Sequence, residues 1–182
     1  VLGVIPARWA STRFPGKPLK EIDGKAMIHW VWDQAMKATS ISEVVVATDD
    51  KRIADYCGDH DLNFVMTSPS HPTGSDRLAE VADKISADIY VNVQGDEPLI
   101  EPVTIDAVTS CLLTAQTRGI ELATGYIEKA TDDQLNDLSV VHLVPSMDGC
   151  VITFTRLPAP YPLVETMQRT VHVGLYAFTK KA

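Results

Sequence analysis

The sequence predicts an α/β protein with a doubly wound, mainly parallel central sheet and a small strand-rich lobe near the C-terminus. Two patterns indicate this fold class. Runs typical of strands alternate along the chain with runs typical of helices, as in strand–helix–strand units. The strand-like runs are also apolar along most of their length, which is typical of parallel strands that are buried on both faces.

The first part of the chain supplies three strands and two helices in alternation. Residues 1–5 (VLGVI) are apolar and rich in β-branched side chains, so they predict a buried strand. Apolar side chains recur at helical spacing over 26–39, which predicts a helix. The apolar run at 43–50 predicts a second strand, 51–60 a short helix, and 64–68 a third strand.

The middle of the chain continues the alternation. An amphipathic helix is predicted over 74–85, with Ser75 or Asp76 as its cap. A fourth strand over 88–98 runs into a polar turn, and 103–116 predicts another helix.

The last third of the chain is richer in strands. Residues 120–127, 140–146 and 150–156 each predict a strand. Three prolines interrupt the pattern over 155–165, which predicts a loop that leaves the main sheet. Apolar and polar residues then alternate over 170–178, which predicts a strand with two different faces.

Polar segments follow four of the predicted strands at their carboxyl ends. These segments are 6–17, 48–50, 67–77 and 94–97. In a doubly wound sheet the carboxyl ends of parallel strands meet at one edge, and ligands bind in the crevice there. The sequence therefore predicts a polar binding crevice at this edge.

The segment after the first strand is a cationic loop in an acidic protein. The first twenty residues contain four cations and no acid, whereas the chain as a whole has a formal net charge of −8. Gly16 permits a sharp turn and the flanking prolines stiffen it, so Arg8, Arg13 and Lys17 can converge on one anion. The alternative is a solvated basic loop. The contrast with the acidic remainder favours a pocket for a small polyanion.

Asp96 lies at the tip of the fourth predicted strand, directly after a glycine. A carboxylate at this edge faces the cationic loop and suits Mg²⁺, which takes one or two carboxylates together with substrate phosphates. This combination is typical of phosphoryl or nucleotidyl transfer. The alternative for Asp96 is a turn or cap residue, and we expect cap or surface roles for Asp49, Asp50 and Glu97.

The segment 70–77 (SHPTGSDR) places His71, Ser75 and Arg77 around a glycine where a strand leads into a helix. A helix N-terminus can hold a base or a phosphate, although most such junctions only cap the helix. His172 and Tyr176 are four residues apart in the alternating strand, so they share one face.

Composition excludes several other classes of protein. The acidic balance argues against general nucleic-acid binding. Three widely spaced cysteines without a CxxC pair indicate a reducing cytoplasm and no structural zinc. No apolar run approaches the roughly 20 residues that span a bilayer, so we expect no membrane attachment. The glycine fingerprint G-x-G-x-x-G of dinucleotide-binding dehydrogenases is missing after the first strand.

Five blocks of the sequence together resemble the 3-deoxy-manno-octulosonate cytidylyltransferases, or CMP-Kdo synthetases. The blocks are IPARWASTRFPGKPL, VVVATDD, PTGSDRLAEV, VNVQGDEPLI and FTRLPAPYP, and the resemblance runs from residue 1 to about 178. It implies a Rossmann-like nucleotidyltransferase domain that joins CTP to the sugar acid Kdo with Mg²⁺. The products would be pyrophosphate and CMP-Kdo, which is used for lipopolysaccharide. It further implies a cytoplasmic homodimer.

The resemblance also implies roles for individual residues. Arg8, Lys17 and Asp96 match catalytic positions, and Asp96 matches a Mg²⁺ ligand. The expected substrate contacts on the nucleotide side are Ser11, Arg13, Thr67, Ser68, Ser75 and Arg77. Those on the sugar-acid side are Gln94, Arg156, His172 and Tyr176, with Arg156 meeting a carboxylate.

The sequence departs from the family pattern in three respects. Leu138 stands where the family usually has proline, and His142 stands where it has lysine. The chain has no initiator Met, and it lacks the downstream motif that carries a second metal-ligating Asp. We therefore expect 1–182 to be a single but incomplete domain, weakly active or inactive alone, with 157–178 as a small sub-lobe or dimerisation strand. Two alternatives stay open: the same chemistry on an 8-amino analogue of Kdo, and a non-catalytic nucleotide-binding module.

Overall fold

The computed structural model describes residues 1–10, 14–128, 131, 133–134, 137–156 and 170–182. The α-helices in this part of the chain are α1 (Met27–Met36), α2 (Lys51–Asp59), α3 (Gly74–Lys84) and α4 (Pro102–Ala115). The strands are β1 (Leu2–Ala7), β2 (Glu21–Ile22), β3 (Lys25–Ala26), β4 (Glu43–Thr48), β5 (Phe64–Met66), β6 (Ile89–Asn92), β7 (Leu122–Glu128), β8 (His142–Pro145), β9 (Val151–Thr155) and β10 (Thr170–Thr179).

A six-stranded sheet organises the fold, in the order β5-β4-β1-β6-β10-β7. Strand β1 pairs in parallel with both β4 and β6, and β5 pairs in parallel with β4. Strand β10 runs antiparallel to β6. The predicted doubly wound, mainly parallel α/β class is therefore confirmed, with an antiparallel strand added beside β6.

The chain divides into two compact units. The first comprises Val1–Ala123 and Leu175–Ala182, and the second comprises Thr124–Gly174. The predicted sub-lobe at 157–178 falls largely outside the described residues, as does the loop predicted over 155–165, so both stay predictions.

The core of the first unit lies against the parallel strands. One cluster of buried side chains combines Leu2 and Val4 of β1 with Tyr90 of β6 and with Leu78 and Val81 of α3.

Two other helices also contribute buried side chains to the core. These are Ile28 and Val31 of α1 and Ile105 and Leu112 of α4, all of them fully buried. The continuous apolar strands of the sequence thus become a sheet that is packed between helices, as such runs predict.

The N-cap of α3 lies before the two residues predicted for it, Ser75 and Asp76, so that prediction is wrong. The cap is Thr73, whose hydroxyl accepts the backbone N–H of Asp76, while the Asp76 carboxylate accepts the backbone N–H of Thr73. This reciprocal pair is a capping box, so Asp76 sits three residues inside the helix and not at its cap. Ser75 lies exposed in the first turn. Asp50 caps α2, as expected for it.

The second unit contains the antiparallel pair β8–β9. His142, one of the departures from the family pattern, is buried there, 5% exposed. Its Nδ1 lies 3.0 Å from the carbonyl oxygen of Thr170, so Nδ1 carries the hydrogen and donates it. In this chain His142 therefore packs inside the unit, where a lysine ammonium would be costly. Leu138, the other departure, is exposed.

None of the helices in the described stretches has the length and apolar character required to cross a membrane.

Asp106 of α4 ties the segment after α1 to the helix layer. Its carboxylate accepts the backbone N–H and the hydroxyl of both Thr39 and Ser40, at 2.6–3.1 Å. These bonds, first of all that from the Ser40 hydroxyl, hold the pKa of the Asp106 carboxyl down at about 2. The charged carboxylate therefore stabilises the folded chain.

We expect Asp106→Ala to lower the free energy of unfolding by about 2 kcal/mol at neutral pH, and Tm by about 5 °C. Because the folded-state pKa is depressed, this contribution is fully present above the ordinary carboxyl pKa near 4 and disappears as pH falls towards 2. Thermal unfolding from pH 2 to 7 measures it. Asp55→Ala, which removes an exposed carboxylate paired with Lys51, is the control and should change Tm by about 1 °C at most. Equal Tm losses at pH 2.5 and pH 7 would contradict this account.

Candidate active site

The cationic loop after β1 ends in a tight turn. Gly16 has φ 70°, a left-handed conformation that favours glycine, and its N–H donates to the carbonyl of Trp9 at 3.0 Å. A short 3₁₀ helix, Lys17–Leu19, follows directly. This turn fixes where Lys17 leaves the loop. The predicted contacts Ser11 and Arg13 lie outside the described residues.

The turn after β6 approaches β1 very closely at Gly95. A Cβ atom on Gly95 would lie 2.9 Å from the carbonyl oxygen of Pro6, a distance that real Cβ atoms do not reach. The absence of a side chain lets the turn lie against the end of β1. The next residue, Asp96, is thereby carried to the cationic loop.

The structure brings Lys17 and Asp96 into direct contact. The Lys17 ammonium donates to the Asp96 carboxylate at 2.6 Å, and both side chains are roughly half exposed, 37% and 50%. The two residues are 79 positions apart in sequence. Lys17 and Asp96 come together because the segments that carry them follow β1 and β6, whose carboxyl ends lie at the same edge of the sheet.

Arg77 is the buried cation of the site. Its guanidinium, 3% exposed, donates to the hydroxyl of Thr67 and forms an ion pair with Asp49 at 3.1 Å. The cap or surface role expected for Asp49 is therefore wrong: Asp49 neutralises and orients Arg77. The adjacent acids Asp49 and Asp50 were a sequence signal for this ion pair. Only one of them can cap α2, so the other can pair with a cation at the edge of the sheet.

One cavity of about 520 Å³ joins these features in the first unit. Its polar and charged lining includes Arg8, Lys17, Arg77, Gln94 and Asp96. His71, Thr73 and Gly74 add the N-terminus of α3 to the wall. Three cationic side chains, one carboxylate and a helix N-terminus thus surround one space, an arrangement suited to a polyanion.

Three of the predicted nucleotide contacts are not among the described residues that line this cavity. Thr67 is buried, and its hydroxyl accepts a hydrogen bond from Arg77. The Ser68 backbone N–H donates to Glu80 at 2.8 Å, and its hydroxyl lies 2.7 Å from that of Ser70. Ser75 is exposed on α3. The roles assigned to these residues stay predictions.

Glu80 holds the segment 68–71 against α3. It accepts hydrogen bonds from Lys84 at 2.6 Å, from the Ser68 backbone at 2.8 Å and from His71 Nε2 at 2.5 Å. In that order, these bonds lower the pKa of the Glu80 carboxyl to about 2. Glu80 is therefore charged throughout the neutral range and keeps His71 at the cavity wall.

The predicted sugar-acid residues are distributed over both units. Gln94 lines the cavity of the first unit, and Tyr176 also belongs to that unit, where burial raises the pKa of its phenol. In the second unit, the Arg156 guanidinium donates to the carbonyl of Ser139 at 2.6 Å. His172 Nε2 lies 2.9 Å from the Thr124 hydroxyl, and burial lowers the pKa of the imidazole, which favours its neutral form at pH 7.

The described residues offer limited ligands for a metal. They contain no group of three or more His, Cys, Asp or Glu side chains placed to bind one ion. Among the described residues, Asp96 is the carboxylate that lines the cavity. The pKa of its neighbour Glu97 is raised, first by burial and then by the charge of Asp96. One carboxylate beside a polyanion pocket fits Mg²⁺, which completes its shell with phosphate oxygens and water.

Fold and cavity together define a doubly wound α/β protein with a polyanion site at the carboxyl ends of its parallel strands. The profile of the cytidylyltransferase family matches residues 2–182. The chain therefore belongs to the cytidylyltransferase family, and its curated relatives place it with the 3-deoxy-manno-octulosonate cytidylyltransferases, as the resemblance implied.

Enzymes of that name are similar to this chain over most of its length. The one from Geobacter sulfurreducens is 45% identical over 161 residues, which cover 88% of this chain and 64% of the relative. The one from Pseudomonas fluorescens is 44% identical, with 96% and 73% covered. The chain thus spans less than two thirds of the Geobacter relative.

Solved structures show the same fold. A CMP:2-keto-3-deoxy-manno-octonic acid synthetase complexed with CTP is 36% identical and superposes with a TM-score of 0.92, covering 99% of this chain and 74% of that one. A cytidylyltransferase from Leptospira borgpetersenii, 18% identical with a TM-score of 0.62, shares the fold.

Proposed function

We propose that this protein transfers CMP from CTP to the sugar acid Kdo and releases pyrophosphate, as the names of its relatives indicate. The observation that carries the proposal is the single cavity that gathers Arg8, Lys17 and Arg77 around the carboxylate of Asp96. A nucleoside triphosphate is the polyanion that fits three cations beside a carboxylate able to hold Mg²⁺. The CMP-Kdo made in this way would serve lipopolysaccharide synthesis.

The cavity cations would bind the triphosphate from different sides. Lys17 is paired with Asp96, so its ammonium can pass from that carboxylate to a phosphate oxygen when CTP enters. Arg77 is already oriented by Asp49 and Thr67, and its guanidinium is a preorganised donor. Arg8 is exposed at the cavity, where its planar fork can follow the phosphates.

We propose Mg²⁺ as the cofactor, held on this chain by Asp96. When bound, Mg²⁺ neutralises the charge that develops on the phosphates. The remaining work falls to the chain's own residues: the cations orient the triphosphate and stabilise the departing pyrophosphate, and the N-terminus of α3 contributes N–H donors. The Kdo hydroxyl would attack the α-phosphorus in line, the bond from that phosphorus to the pyrophosphate oxygen would break, and the hydroxyl proton would pass to solvent.

Gln94 and Tyr176 of the first unit, and Arg156 and His172 of the second, keep the sugar-acid roles that the family resemblance implies for each of them. Arg156 supports this role because, among the described contacts, only its Nη1 donates, to the carbonyls of Ser139 and Leu138, and a guanidinium has further N–H groups that suit a carboxylate. His172, held neutral by burial, suits a hydrogen bond to a hydroxyl better than a charge pair.

We also propose that the protein acts as a cytoplasmic homodimer without nucleic-acid or membrane partners. Val151, Ile152 and Phe154 of β9 are partly exposed apolar side chains, which supports a partner surface on the second unit. The three cysteines are free, which supports a reducing compartment. The net charge of −8 supports the absence of a nucleic-acid partner.

Release of pyrophosphate tests the proposed function. A full-length protein that contains this sequence is incubated with CTP and Mg²⁺ and with Kdo, with 8-amino-Kdo, or with neither, and we expect release that depends on Kdo. Faster release with 8-amino-Kdo would reassign the substrate. CTP binding that is indifferent to Mg²⁺, with no pyrophosphate from either acid, would favour the non-catalytic module.

Gly95→Ala should lower kcat/KM for CTP by about tenfold or more. The new Cβ meets the Pro6 carbonyl at 2.9 Å, so the turn must shift and carry Asp96 with it, and misplacement by about 1 Å can cost up to about a hundredfold. Steady-state kinetics measure the loss. Gly58→Ala in α2 is the matched control, because a Cβ added there would meet no heavy atom within 4 Å apart from its chain neighbours and the backbone of its own helix; activity should stay unchanged. Equal kcat/KM for both variants would refute the close approach as the reason for glycine at 95.

A further inference from the structure

Trp9 packs directly against the turn that presents Lys17. A Cβ atom on Gly16 would lie 2.9 Å from Cη2 and 3.0 Å from Cζ2 of the Trp9 ring, so the indole occupies the space that a side chain would need. The Gly16 N–H also donates to the Trp9 carbonyl at 3.0 Å. Residues 9 and 16 therefore close the base of the cationic loop through a backbone bond and a side-chain contact.

Arg52 holds the Trp9 ring from helix α2. The carbon at the centre of its guanidinium lies 3.5 Å from the centroid of the Trp9 ring, a cation–π contact. Two hydrogen bonds to the Asp50 carboxylate, at 2.8 and 2.7 Å, fix the plane of this guanidinium. Asp50 is itself the cap of α2. The loop is thus connected through Trp9 and Arg52 to a helix of the first unit.

Neither Trp9 nor Arg52 belongs to the described residues that line the cavity. Two residues next to this contact do line the cavity: Arg8, which precedes Trp9, and Lys17, which follows Gly16. The Arg52 charge is already balanced by Asp50, since their hydrogen bonds lower the pKa of the Asp50 carboxyl. Arg52 therefore acts by holding the Trp9 ring in place. Because the Asp50 carboxylate offsets its charge, Arg52 adds little long-range attraction for a phosphate.

We propose that Trp9 and Arg52 are positioning residues for the anion-binding loop: the stack of guanidinium on indole fixes the turn at Gly16 and thereby the place of Arg8 and Lys17. The consequence for CTP rests on the proposed function. The consequence for the geometry of the loop does not rest on the proposed function, because it follows from contacts within the chain that need no ligand.

Hydrogen exchange of the Gly16 amide tests the loop directly, without nucleotide. The variants are Arg52→Ala and, as a matched control, Lys51→Ala, which removes the adjacent exposed cation of α2 that pairs with Asp55. We expect Arg52→Ala to speed exchange at Gly16 by about fivefold and Lys51→Ala to leave it unchanged. Equal exchange in the two variants and the wild type would overturn the proposal, whatever the protein's substrate.

Kinetics then separate positioning from general stability. We expect Arg52→Ala to raise KM for CTP by about fivefold with kcat within about twofold, while Tm falls by no more than in Lys51→Ala. Trp9→Ala should raise KM at least as much, and adding Arg52→Ala to it should cause no further rise, because the stack is already lost. Independent, additive effects of the two substitutions would contradict a shared role. A wild-type protein that ignores CTP while the exchange result holds would refute the proposed function and leave the positioning of the loop standing.

Discussion

Replacement of Asp96 by asparagine is expected to lower kcat by about a thousandfold or more while the fold stays intact. The substitution keeps the shape of the side chain but removes the charge that pairs with Lys17 and that we propose holds Mg²⁺. The side chain is half exposed, so little packing is disturbed and Tm should change by no more than about 2 °C. Pyrophosphate release and thermal unfolding measure the two quantities.

Glu97→Gln is the matched control for this prediction. Glu97 is the next carboxylate along the chain, and it is not among the described residues that line the cavity. Its replacement should change kcat by less than about threefold. A wild-type rate in Asp96→Asn would remove Asp96 from the chemistry, and a large loss in Glu97→Gln would transfer the role to its neighbour.

Lys17→Ala is expected to have the second-largest effect, a fall in kcat/KM for CTP of about a hundredfold, carried mostly by KM. The ammonium lies at the cavity on the turn fixed by Gly16, where it can exchange Asp96 for a phosphate oxygen. Without it, the cavity loses one of its three described cations, and Asp96 repels the incoming triphosphate without compensation. Steady-state kinetics with varied CTP measure the effect.

Lys20→Ala provides the comparison for Lys17. Lys20 belongs to the same cationic segment, but its ammonium lies over the ring of Phe14 at 5.5 Å and it is not among the described lining residues. Its loss should change kcat/KM by less than about threefold. Similar losses in the two lysine variants would show that the loop acts through its summed charge and not through the placement of Lys17.

The fold could be predicted from sequence because its signal is local and repeated. The apolar runs within 43–50 and 88–98 are typical of strands buried on both faces, and they form β4 and β6, which both pair in parallel with β1. The antiparallel direction of β10 could not be predicted, because alternation over 170–178 gives the faces of a strand but not its neighbour or its direction.

The candidate site could be predicted only in part, for a physical reason. The ends of parallel strands meet at one edge, so the cationic loop and Asp96 could be expected to approach each other across 79 residues. The pairing of Arg77 with Asp49 and the capping of α3 by Thr73 depend on side-chain geometry that spacing does not contain. The same holds for the contact of Trp9 with Arg52.

A crystal structure of the protein with CTP, and with Mn²⁺ in place of Mg²⁺, would show whether Lys17, Arg77 and Asp96 share one nucleotide and metal site. We expect the triphosphate inside the cavity between Lys17 and Arg77, and an anomalous manganese signal at the Asp96 carboxylate. A nucleotide bound elsewhere on the chain, or a manganese ion that avoids Asp96, would contradict this expectation.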